Sequence, residues 1–229
     1  MTTSSNKKYE HFDEPVESSE PAISGVGKDS QKSLAGRFTK WIRLSRLPNE
    51  SDRNYAARLE KDSQMMSKYR SHLLVADSHD SSGSRLVAVA SKTPVIGYSW
   101  MPVLPEIGNA PISFEHAKAI AIWLNSTLGR VALRNVTARK ISYPKFRPVS
   151  FDAIPFPNID EPCVVTPLSN VFDETSKEVV PQFRDGRVPI REHWDDAVAL
   201  ALEIDRVLIA ECADKLACDP FVSKDHFFE

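Results

Sequence analysis

Apolar side chains recur at three- and four-residue spacing in several parts of the chain, which is the repeat of one buried helix face. Residues 34–47 show this pattern with basic residues between the apolar ones, so the sequence predicts a helix that ends at Pro48. Ser51 is a suitable N-cap for a second helix that runs to about Tyr69. The two helices are predicted to form one basic helical segment, residues 34–70.

The strongest helical patterns lie in the middle of the chain and near its end. Ser113 is a favourable N-cap for a central apolar helix, and Gly129 is the residue type that commonly ends one. Glu192 to Ala217 is predicted to form one long C-terminal helix. The buried faces of these two helices are predicted at Ala117, Ile120, Leu124 and Leu128, and at Ala197, Ala201, Ile204, Leu208 and Cys212.

Short runs rich in Val, Leu and Ala, separated by turn residues, predict strands. Three are expected at His72–Ala76, Arg85–Ser91 and Val95–Val103, with a break at Lys92-Thr93-Pro94 between the last two. A further strand, Val131–Asn135, is predicted to leave the central helix. Because short connections favour antiparallel pairing, the predicted fold is α+β. It has a small, mostly antiparallel sheet, a central capped helix and a long C-terminal helix packed against it.

The first 33 residues differ in composition from the rest. They are rich in Ser, Glu, Lys, Pro and Gly and have almost no apolar periodicity, so 1–33 is predicted to be a disordered tail. The basic helical segment 34–70 follows, and 71–229 is predicted to form the α+β domain. The sequence has no apolar run of about 18 residues and no apolar signal core in its first 20, so a cytoplasmic protein without membrane contact is expected.

Charge is distributed very unevenly, although the net charge is only −2. Residues 116–151 contain seven Lys or Arg and no Asp or Glu, whereas 152–229 carry a net charge of −10. The seven cations are Lys118, Arg130, Arg134, Arg139, Lys140, Lys145 and Arg147. A concentrated positive segment in a nearly neutral protein indicates an anionic partner, and nucleic acid is the first candidate.

The usual signatures of catalysis are absent from the sequence. No glycine-rich loop follows a strand as S-adenosylmethionine would require, and Asp219-Pro220-Phe221 lacks one proline of an amino-methylating loop. The six histidines show no zinc-site spacing, and the three cysteines form no recognisable metal or disulfide framework. The sequence therefore predicts no catalytic, metal-binding or cofactor-binding residues in this chain.

A DNA-binding surface can be predicted from the end of the central helix and the segment that follows. Arg130, Arg134, Arg139, Lys140, Lys145 and Arg147 would contact phosphates, and Asn125, Ser126 and Thr127 would approach base edges. The three polar residues could equally cap helix carbonyls. The basic segment as a whole could also be a solvated surface, or a seat for the acidic C-terminal third.

Several motifs occur in an order that resembles a known family. They are His-Leu-Leu-Val at 72–75, Arg-Leu-Val-Ala-Val at 85–89, Gly-Tyr-Ser-Trp-Met-Pro-Val at 97–103 and Ala-Ile-Trp-Leu-Asn-Ser-Thr-Leu-Gly at 121–129. Phe-Asp-Ala-Ile-Pro-Phe-Pro at 151–157 and a closing helix over 194–217 follow. Together, over about residues 68–225, they resemble the C-terminal, target-recognition side of N6-adenine DNA methyltransferases of restriction–modification type.

The resemblance implies a target-recognition role on double-stranded DNA but not the family's reaction. The catalytic and cofactor motifs that precede this region in the family are missing, and residues 1–67 are too few to hold them. Adenine-specific methylation and S-adenosylmethionine would come only through a partner methyltransferase subunit. The alternatives are a protein–protein interaction subunit that docks an acidic partner, the remnant of a split methyltransferase gene, and an enzyme with an unrecognised site.

Overall fold

A computed structural model describes most of the chain, namely residues 8–23, 32–36, 40–76, 85–97, 100–104, 111–136, 153–185 and 187–219. The strands are β1 (Tyr9–Phe12), β2 (Glu20–Ile23), β3 (Lys40–Leu44), β4 (Ser71–Ala76), β5 (Ala88–Gly97) and β6 (Trp100–Pro102). The helices are α1 (Asp52–Ser67), α2 (Phe114–Asn125), α3 (Thr127–Val136), α4 (Pro162–Thr175), α5 (Pro189–Leu202) and α6 (Arg206–Ala217). A short 3-10 turn spans Phe183–Asp185.

The strands form one six-stranded mixed sheet in the order β1-β3-β2-β5-β4-β6. All neighbouring strands are antiparallel except β2 and β5, which are parallel. The predicted mixture of helices with a mostly antiparallel sheet is therefore confirmed. The sheet also joins β1 and β2 of the N-terminal segment, β3 of the basic segment and the three strands that follow.

Two strands lie in the segment that the sequence predicts to be a disordered tail. β2 is buried at all four residues and lies between β3 and β5, so it forms part of the centre of the sheet. The prediction of disorder is wrong for residues 9–12 and 20–23. Four-residue strands are too short to show periodicity, and their backbone hydrogen bonds come from partners far away in the sequence.

The predicted helix over 34–47 is also wrong, because β3 occupies Lys40–Leu44. Ile42 and Leu44 are buried and the residues next to them are less so, which is the two-residue repeat of a strand. The helix predicted next is confirmed as α1. The Ser51 hydroxyl caps it by accepting a hydrogen bond from the Asn54 N–H at 3.3 Å.

β5 continues through the predicted break at Lys92-Thr93-Pro94. Its register with β4 shifts between Ser71 and Leu73, so the extra residues of β5 are accommodated as an irregularity in one strand. The predicted strand Val95–Val103 is correspondingly divided between the end of β5 and the separate strand β6.

The helices pack in layers on one part of the sheet. α2 contacts β4 and β5, α4 packs on α2, and α5 packs on α4. Trp194 of α5 and Phe183 of the 3-10 turn are the largest of the fully buried side chains in this core. No helix is predicted from the sequence at α4, which contains two prolines. Pro162 lies at the first position of α4, where proline is favourable, and Pro167 is tolerated inside the helix.

The predicted single C-terminal helix is instead two helices. α5 ends at Glu203, whose φ of 53° is in the left-handed region, and Asp205 caps α6 by accepting a hydrogen bond from the Val207 N–H at 2.8 Å. The apolar repeat in the sequence runs through this break, so the pattern alone does not reveal it. The predicted buried position Leu208 is wrong, because beyond the break Ile209 is buried and Leu208 is 52% exposed. No helix within the described residues is long and apolar enough to span a membrane.

Candidate nucleic-acid interface

The predicted base-reading residues lie at a tight junction between two helices. α2 ends at Asn125, Ser126 has an extended backbone, and α3 begins at Thr127. The predictions of a helix stop at Gly129 and of a strand at Val131–Asn135 are both wrong, because these residues lie inside α3. Glycine is required at 129 for room: a Cβ atom there would lie 2.0 Å from the Trp123 carbonyl oxygen.

Asn125 joins α2 to the sheet. Its side chain is fully buried; Oδ1 accepts from the Val87 N–H at 2.7 Å, and Nδ2 donates to the Ala88 and Ala121 carbonyls at 2.8 and 2.7 Å. The amide therefore satisfies backbone groups at the start of β5 that no water reaches. It is not available to a base edge in this conformation.

Ser126 and Thr127 are also buried and hydrogen-bonded within the protein. The Ser126 hydroxyl donates to the Trp123 carbonyl at 2.7 Å and accepts from the Gly129 N–H at 3.2 Å. The Thr127 N–H and hydroxyl donate to the two carboxylate oxygens of Asp195 at 2.8 and 2.6 Å. Asp195 of α5 thus caps α3. Asn125 and Ser126 donate to carbonyls of α2, which is the alternative that the sequence left open, whereas Thr127 donates to a carboxylate.

Replacement of Asn125 by leucine is expected to lower the free energy of unfolding by about 2–3 kcal/mol, because it leaves buried backbone donors and acceptors without partners. The matched control is Asn135→Leu, at an exposed position of α3, which is expected to change stability by about 0.5 kcal/mol or less. Urea unfolding followed by circular dichroism measures both. Equal stability of the two variants would contradict the structural role of Asn125.

Arg130 lies against an aromatic ring rather than in solvent. Its guanidinium carbon is 3.6 Å from the centre of the Phe183 ring, a cation–π contact. Burial, and secondarily the nearby Arg191, lowers the pKa of Arg130 to about 9, while the Asp195 carboxylate acts in the opposite direction. At neutral pH Arg130 therefore keeps its charge in a partly desolvated position.

Two further cations of the basic segment form internal ion pairs. Arg134 Nε lies 3.1 Å from the Asp219 carboxylate, and Lys118 Nζ lies 2.8 Å from both Glu115 and Asp173 carboxylates. The Lys118 side chain is only 5% exposed. Burial alone would lower its pKa, but the hydrogen bonds to Asp173 and Glu115 raise it overall. Carboxylates from the acidic C-terminal third thus contribute to the pairing of both cations.

The remaining predicted phosphate contacts, Arg139, Lys140, Lys145 and Arg147, lie outside the described residues. The structure therefore places Asn125, Ser126 and Thr127 at the α2–α3 junction. Arg130 and Arg134 follow in α3. The structure brings them into contact with α5, the 3-10 turn and the residues after α6.

Helix α1 presents a second basic surface that the sequence analysis did not single out as a site. Arg53, Lys61 and the C-cap residue Lys68 are exposed and lie about two helical turns apart, which places them on one side of the helix, together with exposed Glu60. Among the described residues no carboxylate forms an ion pair with any of the three. We call this set the α1 cationic row. In the sequence the row appears as three basic residues, spaced eight and then seven positions apart, in a helix whose surface is mostly polar.

Other chemistry has little support in the described part of the chain. Three or more His, Cys, Asp or Glu side chains that could hold a metal ion do not come together there. Cys163, Cys212 and Cys218 are free thiols. Asp219, the first residue of the incomplete methylation-loop motif, is the partner of Arg134.

Comparison with known proteins gives no family assignment. No family model matches the chain, and neither the curated proteins nor the solved structures contain a match.

Proposed function

We propose that this protein binds double-stranded DNA and acts as a non-catalytic target-recognition component of a methylation or restriction system. The observation that carries the proposal is the α1 cationic row. Within the described residues no carboxylate pairs with these three exposed cations, which extend over about 22 Å of helix axis, since each residue adds about 1.5 Å. Duplex DNA presents one phosphate charge per ~1.7 Å, so such a row can contact several phosphates.

The basic segment is the second support. Of its seven cations, Lys118, Arg130 and Arg134 are engaged within the protein. Arg139, Lys140, Lys145 and Arg147 fall within nine residues that contain no Asp or Glu. These four are proposed as further phosphate contacts. Asn125, Ser126 and Thr127 are no longer proposed to contact bases, because their polar atoms serve the α2–α3 junction.

The recognition role rests on the resemblance of residues 68–225 to the target-recognition side of N6-adenine DNA methyltransferases. On this proposal the chain would position a partner methyltransferase on DNA. The partner would hold S-adenosylmethionine and perform the reaction, and the location would be the cytoplasm. Phosphate contacts give affinity and position but not sequence preference, so the base-reading residues are not assigned.

The proposal is tested by titrating the protein into a labelled duplex at several salt concentrations and measuring fluorescence anisotropy. Two charge-reversed pairs are compared with the unchanged protein: Arg53→Glu with Lys61→Glu, and Arg139→Glu with Lys140→Glu. Each pair is expected to weaken binding and to reduce the slope of log affinity against log salt by about 2, because each lost phosphate contact accounts for about 0.9.

The matched control is Lys177→Glu with Lys215→Glu. These two lysines are exposed and lie in the acidic C-terminal third, so the variant has the same net charge as the test pairs but leaves both proposed surfaces intact. Its salt slope is expected to equal that of the unchanged protein. Equal weakening of all three variants would show only a response to net charge, and would contradict the assignment of surfaces.

A second candidate function is a subunit that docks a partner protein. Leu200, Val207 and Leu208, at the turn between α5 and α6, are 72%, 63% and 52% exposed. Neighbouring exposed apolar side chains of this kind are typical of interaction surfaces. The same titration separates the two candidates, because a docking subunit would give no anisotropy change at the lowest salt concentration.

A further inference from the structure

Four arginines line a small cavity between α3, α5, α6 and the 3-10 turn. The cavity has a volume of about 40 Å³, and its guanidinium groups belong to Arg130, Arg187, Arg191 and Arg206. Since a single water needs ~10–15 Å³ of such space, the cavity has room for about three waters or one small ion. Ala210, Ala213 and Ala217 of α6 form much of the apolar wall.

Phe183 holds the two inner arginines in position. The guanidinium carbons of Arg130 and Arg191 lie 3.6 and 4.7 Å from the centre of its ring. Arg191 also donates a hydrogen bond to the Pro181 carbonyl. Arg130 makes no hydrogen bond through its guanidinium to any described residue, so its five N–H donors remain available.

The two outer arginines have their own carboxylate partners. Arg187 lies 2.6 Å from Asp214 and donates to the Ala210 carbonyl at 2.9 Å, while Arg206 pairs with Asp196. These contacts fix the guanidinium groups at the rim of the cavity. Each of these ion pairs as a whole has no net charge.

Carboxylates balance the charge of the four guanidinium groups, since Asp195 and Glu192 line the cavity and Asp214 and Asp196 pair with Arg187 and Arg206. Both oxygens of Asp195 accept hydrogen bonds from Thr127, so the cavity offers an anion the unused donors of Arg130 rather than an excess of positive charge. Asp185 favours the charged form of Arg191. Burial is the main cause that lowers the pKa values of both inner arginines, and Arg191 adds to the effect on Arg130.

We propose that this cavity binds a small oxyanion, either inorganic phosphate or the phosphate group of a small phosphomonoester. The anion would accept hydrogen bonds from Arg130 at the inner end and from Arg187 or Arg206 at the rim. Planar guanidinium groups match the geometry of phosphate oxygens, and such charge-assisted hydrogen bonds are the strong ones. The site does not include the α1 cationic row or residues 139–147, so it is independent of the proposed DNA binding.

The test is calorimetric titration of the full chain with sodium phosphate, at an ionic strength held constant with sodium chloride. Saturable binding of one phosphate per chain is expected. Arg130→Met, which keeps an unbranched side chain over Phe183, and Arg187→Gln at the rim are each expected to weaken binding by about tenfold, since each removes a charged donor. Lys177→Gln removes an exposed cation that belongs neither to the lining nor to the α1 cationic row, and it is expected to leave binding unchanged.

Circular dichroism spectra establish that each variant is folded, and Arg187→Gln keeps the test informative if Arg130→Met does not fold. A parallel titration with ribose 5-phosphate separates the two sources of the anion: tighter binding than phosphate assigns a phosphomonoester, and weaker binding assigns the free ion. Three results would overturn the proposal. They are no saturable heat with either compound, unchanged affinity in both cavity variants, and an equal loss in Lys177→Gln.

Discussion

Replacement of Asp195 by alanine is expected to lower the free energy of unfolding by about 3–5 kcal/mol, the range found when one partner of a buried charged network is removed. The Asp195 side chain is buried, and its two oxygens accept the Thr127 N–H and hydroxyl hydrogen bonds that cap α3. The substitution would leave these donors unsatisfied. It would also remove the carboxylate that favours the charged forms of Arg130 and Arg191.

The neighbouring residue supplies the control for Asp195. Asp196 is exposed and pairs with Arg206 at the surface, and exposed pairs contribute only about 0–1 kcal/mol. Asp196→Ala removes the same charge one position away and is expected to stay within that range. Urea unfolding at pH 7 measures both variants. A loss of similar size in the two would mean that Asp195 acts only through net charge and not as the cap of α3.

Replacement of Gly129 by alanine is expected to cost more than about 3 kcal/mol, at the upper end of what overpacking causes. The added Cβ would lie 2.0 Å from the Trp123 carbonyl oxygen and 2.9 Å from the Leu124 Cα. Both atoms belong to the backbone of α2 and cannot rotate away. The α2–α3 junction would have to open, which would disturb the hydrogen bonds of Asn125 and Ser126.

Gly36→Ala is the matched control for Gly129→Ala. The atom nearest to its added Cβ is the terminal methyl of Ile23 at 2.8 Å, which can move by a side-chain rotation. A clearly smaller loss is expected, measured by the same urea unfolding experiment. If Gly129→Ala were the more stable of the two, glycine at 129 would not be required for close approach of the helices.

Several local features could be predicted from the sequence because their causes lie within a few residues. Ser51 and Ser113 each cap a helix by accepting an N–H from three residues further on, as the hydroxyl, the spacing and the following helical pattern predicted. The strand at β4 followed from a short run of apolar residues between polar ones. Such short-range patterns gave α1, the start of α2 and the mixed class of the fold.

Other features depended on partners that are distant in the sequence. Residues 20–23 have no periodicity of their own and become the buried strand β2 only because β3 and β5 lie on either side. The apolar repeat over 192–217 is the same for one helix as for two, and the left-handed Glu203 decides between them. α4 was not predicted, and proline near a helix start has the same local appearance as proline in a loop.

For the predicted interface too, some properties follow from the sequence alone and others only from the tertiary structure. The sequence by itself determined the uneven charge, the polar helix end and the absence of recognisable catalytic motifs, because each depends only on which residues occur and at what spacing. The tertiary structure alone decided that Asn125, Ser126 and Thr127 face inward, that Arg134 pairs with Asp219, and that four arginines surround one cavity. The physical reason is that a polar side chain contributes to binding only where folding leaves it unpaired. Pairing is set by groups brought together from distant parts of the chain.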